Sequence, residues 1–197
     1  MSHSRALIFT SAALVLLAAG CKPKPEPASE TTETPVQEVA APQEATVDDM
    51  MVATATLKTA DGTELGTVTF TQHTDGGTEM VAELHGVQGA GEHGIHVHEV
   101  GECSAPDFKS AGGHFNPEED EHGLMNEAGP HAGDMPNIHV PENGKLHIEV
   151  LNQRVFLSDG LLDDDGSAIV IHQGPDDYKT DPAGNAGPRI ACGVITP

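Results

Sequence analysis

Hydrophobic and polar residues alternate with a period of two once the chain passes residue 50. In the stretch 51–58, Met, Ala, Ala and Leu occupy one set of alternate positions, and Val, Thr, Thr and Lys occupy the other. A period of two is the side-chain period of a β-strand. Further alternating or β-branched stretches lie at 65–72, 79–84, 95–100, 146–150, 155–157, 168–172 and 190–195. The pattern therefore predicts a series of short strands.

Turn residues separate these strands, as at Asp61-Gly62 and Asn143-Gly144. Gly, Asn and Asp are the residues that tight turns favour. No stretch has a convincing helical period, so the pattern predicts an all-β antiparallel sandwich or barrel. Two long irregular segments, 101–137 and 173–189, interrupt the strands. Loops of this length are usually functional or disordered.

Composition narrows the possible functions. The chain has 197 residues, 37% of them hydrophobic, with no Trp and one Tyr, so a core must be built from aliphatic side chains. The formal net charge of −22 argues against nucleic acid as a partner, because phosphate binding needs clustered Lys and Arg. An anionic substrate would have to be attracted by local charges.

The N-terminal segment has the pattern of an export signal over residues 1–20. Arg5 precedes an apolar stretch at 6–19, which is too short to span a bilayer comfortably. The segment ends Leu17-Ala18-Ala19-Gly20-Cys21, which resembles a bacterial lipoprotein signal with Cys21 as the lipidated residue. The alternative is an ordinary secretory peptide with an incidental Cys.

Residues 21–49 are rich in Pro, Glu and Thr and have few large apolar side chains. Such a segment cannot offset the entropy cost of folding, so we expect an extended tether. The tether would hold a domain at 50–197 away from a membrane. The expected location is the bacterial cell envelope, with an exported, membrane-anchored lipoprotein facing the periplasm or the exterior.

Cysteine usage fits export. The chain has three Cys residues, and if lipid modifies Cys21 then Cys103 and Cys192 remain. Disulfides persist in oxidising compartments. A Cys103–Cys192 bond would add about 4 kcal/mol of stability in the chain-entropy model. The alternative is two buried free thiols.

An ordered set of histidines provides the candidate metal ligands. Imidazole is the commonest protein ligand for copper and zinc, and a carboxylate adds a charged oxygen. On a strand at 95–100, His96 and His98 would point to the same face, where both could reach one metal. The set is enough for two adjacent metal sites: His96, His98, His114, His122, His131, Asp134 and His172.

The contexts of these residues resemble the copper–zinc superoxide dismutase family. They read Gly94-Ile95-His96-Val97-His98, Gly113-His114-Phe115-Asn116-Pro117 and His131-Ala132-Gly133-Asp134, and the segment 184–195 resembles the family's C-terminal signature. The resemblance implies a flattened eight-stranded Greek-key barrel, of immunoglobulin-like sandwich architecture, with two long functional loops over one face.

The resemblance also implies one copper and one zinc per chain. The implied copper ligands are His96, His98, His114 and His172. The implied zinc ligands are His114, His122, His131 and Asp134, so that the His114 ring is shared by the two metals.

Two further residues take roles from the resemblance. Asp176 would hydrogen-bond one ligand histidine from each metal site, although it could also be a loop carboxylate beside Asp177. Arg189 would lie beside copper and hold a small anion, although it could instead pair with a surface carboxylate. Three carboxylates in this loop against one Lys argue against long-range steering of an anion.

The resulting hypothesis is a superoxide dismutase that converts superoxide to dioxygen and hydrogen peroxide, with Arg189 and His114 as catalytic residues. A first alternative is an envelope copper/zinc buffer on the same fold, which would not need Arg189. A second is an adhesion domain that uses metals only for stability. The sequence leaves a homodimer open, and it offers no reason to add His93 to the ligands.

Overall fold

The computed structural model describes residues 50–74 and 76–197. The predictions about the signal, Cys21 and the tether lie outside these residues. The described residues form nine strands: β1 Val52–Thr59, β2 Glu64–Gln72, β3 Thr78–Leu84, β4 Gly91–His93, β5 Ile95–His98, β6 Ile138–Val140, β7 Leu146–Asn152, β8 Ala168–His172 and β9 Arg189–Val194.

Seven of the strands form one curled antiparallel sheet in the order β5-β8-β9-β1-β2-β3-β7, and β4 and β6 form a two-stranded sheet. Only Gly94 separates β4 from β5, and the two pair with different neighbours, β6 and β8. The chain thus passes from one sheet to the other at this glycine. The prediction of an all-β antiparallel fold is confirmed.

The core lies inside the curl and is aliphatic, with few aromatic rings. Strand β1 buries Ala53, Ala55 and Leu57 while its alternate residues face solvent. Phe70 from β2 and Met80 from β3 lie in the same buried cluster. Each fully buried large apolar side chain contributes about 1.5–3 kcal/mol relative to exposure. The period of two in the sequence therefore reflects which side chains of each strand contact the core.

Strands β5 and β8 are buried on both faces. Ile169 and Ile171 of β8 point into the main core, whereas Ala168 and Val170 join a second buried cluster. That cluster contains Phe108, Ala111 and Cys192, and Cys103 packs against it. The long loop 101–137 thus covers the outer face of these strands, on which His96, His98 and His172 also lie.

The predicted strand at 155–157 is wrong. Residues Leu157–Leu161 form a π-helical turn, and Val155 is buried with its carbonyl accepting a 2.8 Å hydrogen bond from the Thr78 hydroxyl. The alternation there reflects a buried turn. Strands β4 and β6 were not predicted, because three residues are too few to show a period. A 3₁₀ turn lies at Lys109–Ala111.

The disulfide prediction is confirmed. Cys103 and Cys192 are bonded, with their Cα atoms 5.7 Å apart and the two residues 89 positions apart in the sequence. The bond fastens the start of the long loop to β9. Within the described part of the chain, no helix has the length and apolar character to cross a membrane.

Candidate metal centre

The outer edge of β5 organises the site through backbone hydrogen bonds. The Phe115 amide donates to the Val97 carbonyl at 2.8 Å, and the Val97 amide donates to the Gly133 carbonyl at 3.0 Å. Single-residue bridges result between His98 and His114 and between His96 and Asp134. Residues far apart in the sequence are thereby placed side by side.

Gly133 is required by this close approach. A Cβ atom at this position would lie 2.4 Å from the Val97 carbonyl oxygen and 3.1 Å from the Phe115 Cβ. Any side chain would push the loop away from β5. The glycine in His131-Ala132-Gly133-Asp134 thus has a steric role that the sequence alone did not reveal.

Four imidazoles form the first group of convergent side chains: His96, His98, His114 and His172. Each offers a ligand atom, and these atoms all lie within 4.8 Å of one another. The His96 and His114 rings are stacked with centroids 4.1 Å apart. All four side chains are buried, so the group is an all-nitrogen cluster shielded from bulk water, which suits copper(II).

The second group converges on one oxygen atom, Oδ1 of Asp134. It lies 2.8 Å from Nδ1 of His114, 3.0 Å from Nδ1 of His122 and 3.4 Å from Nδ1 of His131. Bonds of about 2.0 Å to a tetrahedral zinc ion place ligand atoms about 3.3 Å apart. The spacing and the three-nitrogen, one-oxygen donor set therefore fit zinc.

The metal fit rests on nitrogens that have no hydrogen-bond partner. Buried polar atoms are almost always paired, yet six buried imidazole nitrogens in these two groups are not: His96 Nδ1, His98 Nε2, His114 Nε2, His122 Nδ1, His131 Nδ1 and His172 Nε2. One metal cation in each group would satisfy all of them. His114 belongs to both groups, with Nδ1 in the second and Nε2 free for the first.

The outer nitrogens of the same rings are held in place. Nδ1 of His98 lies 3.1 Å from the Gly112 carbonyl, and Nδ1 of His172 lies 3.1 Å from the Gly187 carbonyl. Since a carbonyl only accepts, each Nδ1 carries the proton and each Nε2 has a free lone pair. Such outer hydrogen bonds orient metal-binding rings.

Asp176 links the two groups. Its Oδ2 lies 2.7 Å from Nε2 of His96, and its Oδ1 lies 3.0 Å from Nε2 of His122. One buried carboxylate therefore fixes a ring in each group. This is the arrangement that the family resemblance implies for Asp176.

Asp176 is itself held by residues that the sequence analysis missed. Asn137 and Asp176 exchange two hydrogen bonds of 2.8 and 2.9 Å, and the Asn137 amide donates to the Tyr178 hydroxyl at 2.7 Å. No local sequence pattern marks Asn137 or Tyr178, because their partners are about 40 residues away. They join the second long loop to the end of the first.

Burial sets the charge of the first group in the metal-free protein. Loss of solvent, together with the neighbouring cations, lowers the pKa of His98 to about 2 and that of His172 to about 3. Loss of solvent also lowers the pKa of His114 to about 4, although the contact with Asp134 opposes it. These rings stay neutral at pH 7, which is the form that binds metal.

The second group has the opposite electrostatics. Burial alone would lower the pKa of His122, but the nearby carboxylates of Asp134 and Asp176 outweigh it and raise this pKa to about 9. Burial alone would raise the pKa of Asp134, but contacts with His114 and His122 hold it well below its usual value. Asp134 is thus a carboxylate ready to bind a cation.

Arg189 lies at the start of β9 beside the first group. Its Nη1 donates to the Phe108 carbonyl at 2.6 Å and its Nη2 to the Gly112 carbonyl at 2.5 Å. The Gly112 carbonyl also accepts from His98. The guanidinium is therefore held by the long loop rather than by a surface carboxylate, and it shares an acceptor with a candidate ligand.

His93 lies outside both groups but supports the first. Its Nδ1 is 2.8 Å from the His172 carbonyl and its Nε2 is 2.7 Å from the Gly89 carbonyl. It fastens the backbone of His172 to β4. Of the other histidines, His73 lies beside Glu79 and His147 beside Glu83 and Glu149.

A cavity of about 480 Å³ opens onto the first group. Its walls include His98, His114 and His172, together with Arg189. The cavity therefore reaches the rings of the first group, whose unpartnered Nε2 atoms are themselves buried.

Comparisons with known proteins agree with this geometry. The family model for copper/zinc superoxide dismutase matches residues 64–195. Superoxide dismutase (Cu-Zn) 1 of Aquifex aeolicus (strain VF5) is 51% identical over 138 residues, which cover 68% of this chain and 81% of that protein. The superoxide dismutase-like protein YojM of Bacillus subtilis (strain 168) is 34% identical over 197 residues, with 98% and 96% coverage.

The fold also matches a solved structure. The Cu/Zn superoxide dismutase from Brucella abortus superposes with a TM-score of 0.62 at 29% identity, covering 73% of this chain and 99% of that one. The family model spans more than half of the sequence, and its range includes both groups of ligands. This chain therefore belongs to the copper–zinc superoxide dismutase family.

Proposed function

We propose that each of the two groups of side chains binds one metal of this copper–zinc superoxide dismutase. His96, His98, His114 and His172 would hold copper, and His114, His122, His131 and Asp134 would hold zinc. His114 would serve both sites, since its Nε2 belongs to the first group and its Nδ1 to the second. The observation that carries the assignment is the set of buried, unpartnered imidazole nitrogens.

When bound, copper supplies one-electron chemistry, accepting an electron from one superoxide and giving it to a second, so that two superoxides and two protons yield dioxygen and hydrogen peroxide. The chain's own residues prepare this reaction. Burial keeps His98 and His172 neutral, with pKa values of about 2 and 3. Their Nδ1–H groups are fixed by backbone carbonyls, so the rings cannot turn away.

Arg189 and His114 have the catalytic roles in this proposal. Arg189 lines the cavity, and the donors that it does not spend on the Phe108 and Gly112 carbonyls can hold a small anion at the copper group. Nε2 of His114 has no protein partner. It is the atom that can hold a proton in one half of the cycle and release it to product in the other.

A metal buffer on the same fold is the alternative. It would use the same ligands, but it would have no use for a fixed guanidinium at the cavity. The orientation of Arg189 by two backbone carbonyls therefore favours the enzyme.

The test combines metal analysis with activity. We expect one copper and one zinc per chain, a copper(II) spectrum that changes when cobalt replaces zinc, and inhibition of superoxide-driven cytochrome c reduction. Arg189→Ala should lower this inhibition at least tenfold while both metals stay bound. Bound metals without inhibition in the unmutated protein would instead identify a buffer.

The location of the protein is proposed on separate grounds. The disulfide fits an exported protein, since such bonds persist outside the cytoplasm. We propose that Cys21 is lipidated and that 21–49 tethers the domain 50–197 to the cell envelope. Cys21→Ser should move the protein from the membrane fraction to the soluble fraction, and an unchanged distribution would exclude the lipid anchor.

A further inference from the structure

The mouth of the copper cavity has an unexpected charge for an enzyme with an anionic substrate. Among the residues that line the cavity, the charged side chains are Glu99, Glu119 and Arg189. Two carboxylates thus face one guanidinium. By themselves, these three side chains repel an anion and attract a cation.

Glu119 is held at this mouth by a rigid turn. Its backbone has φ of 59°, which is the left-handed region that non-glycine residues seldom adopt. Asn116 closes the turn with side-chain hydrogen bonds of 2.8 and 3.1 Å to the backbone of Asp120. The carboxylate of Glu119 is therefore carried to the cavity by a fixed backbone.

The charge of Glu119 is not neutralised nearby. Its neighbour Asp120 pairs with Arg154, and Lys109 pairs with Asp107. In the described part of the chain, no ion pair forms with Glu119. Glu99, by contrast, accepts a 2.7 Å hydrogen bond from the Gly113 amide and so has a structural role in the loop.

The interior of the cavity contains groups that can bind a metal cation. The rings of His98, His114 and His172 line it, and each carries a buried, unpartnered nitrogen. Asp181 lies just beyond the wall, with its carboxylate 3.7 Å from Nε2 of His131. A metal cation entering the cavity would pass from carboxylates to neutral imidazoles.

We propose that Glu119 makes the cavity mouth a collector of metal cations, so that it speeds the capture of copper by the metal-free protein and slows the entry of superoxide. The inference rests on the proposed copper site. The same charge thus acts in opposite directions on the cofactor and on the substrate, and Arg189 serves as a short-range anchor within a repulsive entrance.

Electrostatic work scales with the charge of the ion, so the effects of Glu119 on the copper rate and on the superoxide rate must stand in a fixed ratio. For a unit charge about 10 Å away in water, Coulomb's law gives about a twofold effect on a monovalent anion and about a fourfold opposite effect on a divalent cation. On a logarithmic scale the copper effect should be twice the superoxide effect and of opposite sign. A steric or folding effect of a substitution would not produce this relation.

The experiment compares Glu119→Gln with Glu118→Gln. Both residues are exposed and both changes remove one charge at nearly the same place in the chain, but Glu118 does not line the cavity. One measurement is the second-order rate constant for copper(II) binding to metal-free protein, followed by stopped-flow absorbance. The other is the rate constant for superoxide removal by the loaded enzyme, followed by pulse radiolysis.

At about 10 mM ionic strength, where the screening length is about 30 Å, Glu119→Gln should bind copper up to about fourfold more slowly than the unmutated protein and remove superoxide up to about twofold faster, whereas Glu118→Gln should change both rates less. Both differences should vanish in about 1 M salt, where the screening length is about 3 Å.

Two results would overturn the proposal: equal rates for the two variants at low salt, or copper and superoxide rates that change in the same direction. Failure of the proposed function would look different. In that case no variant would remove superoxide, whereas the difference in copper binding would still be measured.

Discussion

Gly184 shows how strictly single residues constrain the site. It has φ of 60°, and a Cβ atom there would lie 1.9 Å from Oδ1 of Asp176 and 2.7 Å from Nε2 of His122. The hydrogen bond between these two side chains therefore depends on the absence of a Cβ. The sequence analysis placed this glycine in a C-terminal signature but had no means of giving it a role, because its partners come from elsewhere in the chain.

Gly184→Ala should separate Asp176 from His122 and lower zinc affinity about 10- to 100-fold, the usual cost of losing an outer hydrogen bond to a metal ligand. Competition with a chromophoric chelator measures this affinity. Gly62→Ala is the matched control, since Gly62 also has a positive φ, of 85°, but nothing lies within 4 Å of its Cβ position. Equal zinc affinity in the two variants would contradict the role given to Gly184.

At the level of elements, sequence patterns predicted what is local. The period of two placed His96 and His98 on one face of β5, and the structure puts both in the same group. The course of the two long loops could not be predicted in this way. It depends on backbone hydrogen bonds to Val97 and on the Asn137–Asp176 exchange, which join residues 18 to 39 positions apart and leave no periodic signal.

The disulfide is the covalent part of the loop's attachment to β9. Replacing both Cys103 and Cys192 with Ala should lower the free energy of unfolding of the metal-free protein by about 4 kcal/mol, since the bond closes a long loop in the unfolded chain. Urea titration of the oxidised protein and the double variant measures the difference. Reductant should shift the midpoint of the unmutated protein only, and a change below about 1 kcal/mol would contradict the prediction.

At the scale of the whole molecule, the buried histidines of the metal-free site lower the free energy of unfolding at acid pH. Burial holds the pKa of His98, His172 and His114 at about 2, 3 and 4, below the ordinary histidine value of about 6.5. Between pH 6.5 and 4 the unfolded chain takes up protons at these positions and the folded chain does not. Stability must therefore fall as the pH falls through this window.

Each of the three groups can contribute up to about 1.4 kcal/mol per pH unit, so the metal-free protein should lose several kcal/mol between pH 6.5 and 5. His122 acts in the other direction. Its pKa of about 9 adds stability that is complete below pH 6.5 and is lost as the pH rises through 9. The urea concentration at the midpoint of unfolding, plotted against pH, should pass through an asymmetric maximum that is steeper on the acid side. A midpoint that does not change with pH would contradict the pKa directions.

The pairing of Gly113 with Glu99, and of Phe115 and Gly133 with Val97, has a consequence beyond coordination. Strand β5 is the last strand of the seven-stranded sheet, and an exposed edge strand can pair with strands of other chains. The loop 101–137 covers that edge, and it is attached by the disulfide and by the ions that its own histidines would bind. Without the disulfide and the ions the edge would be uncovered and the protein would be prone to self-association, so that metal loading also protects its solubility.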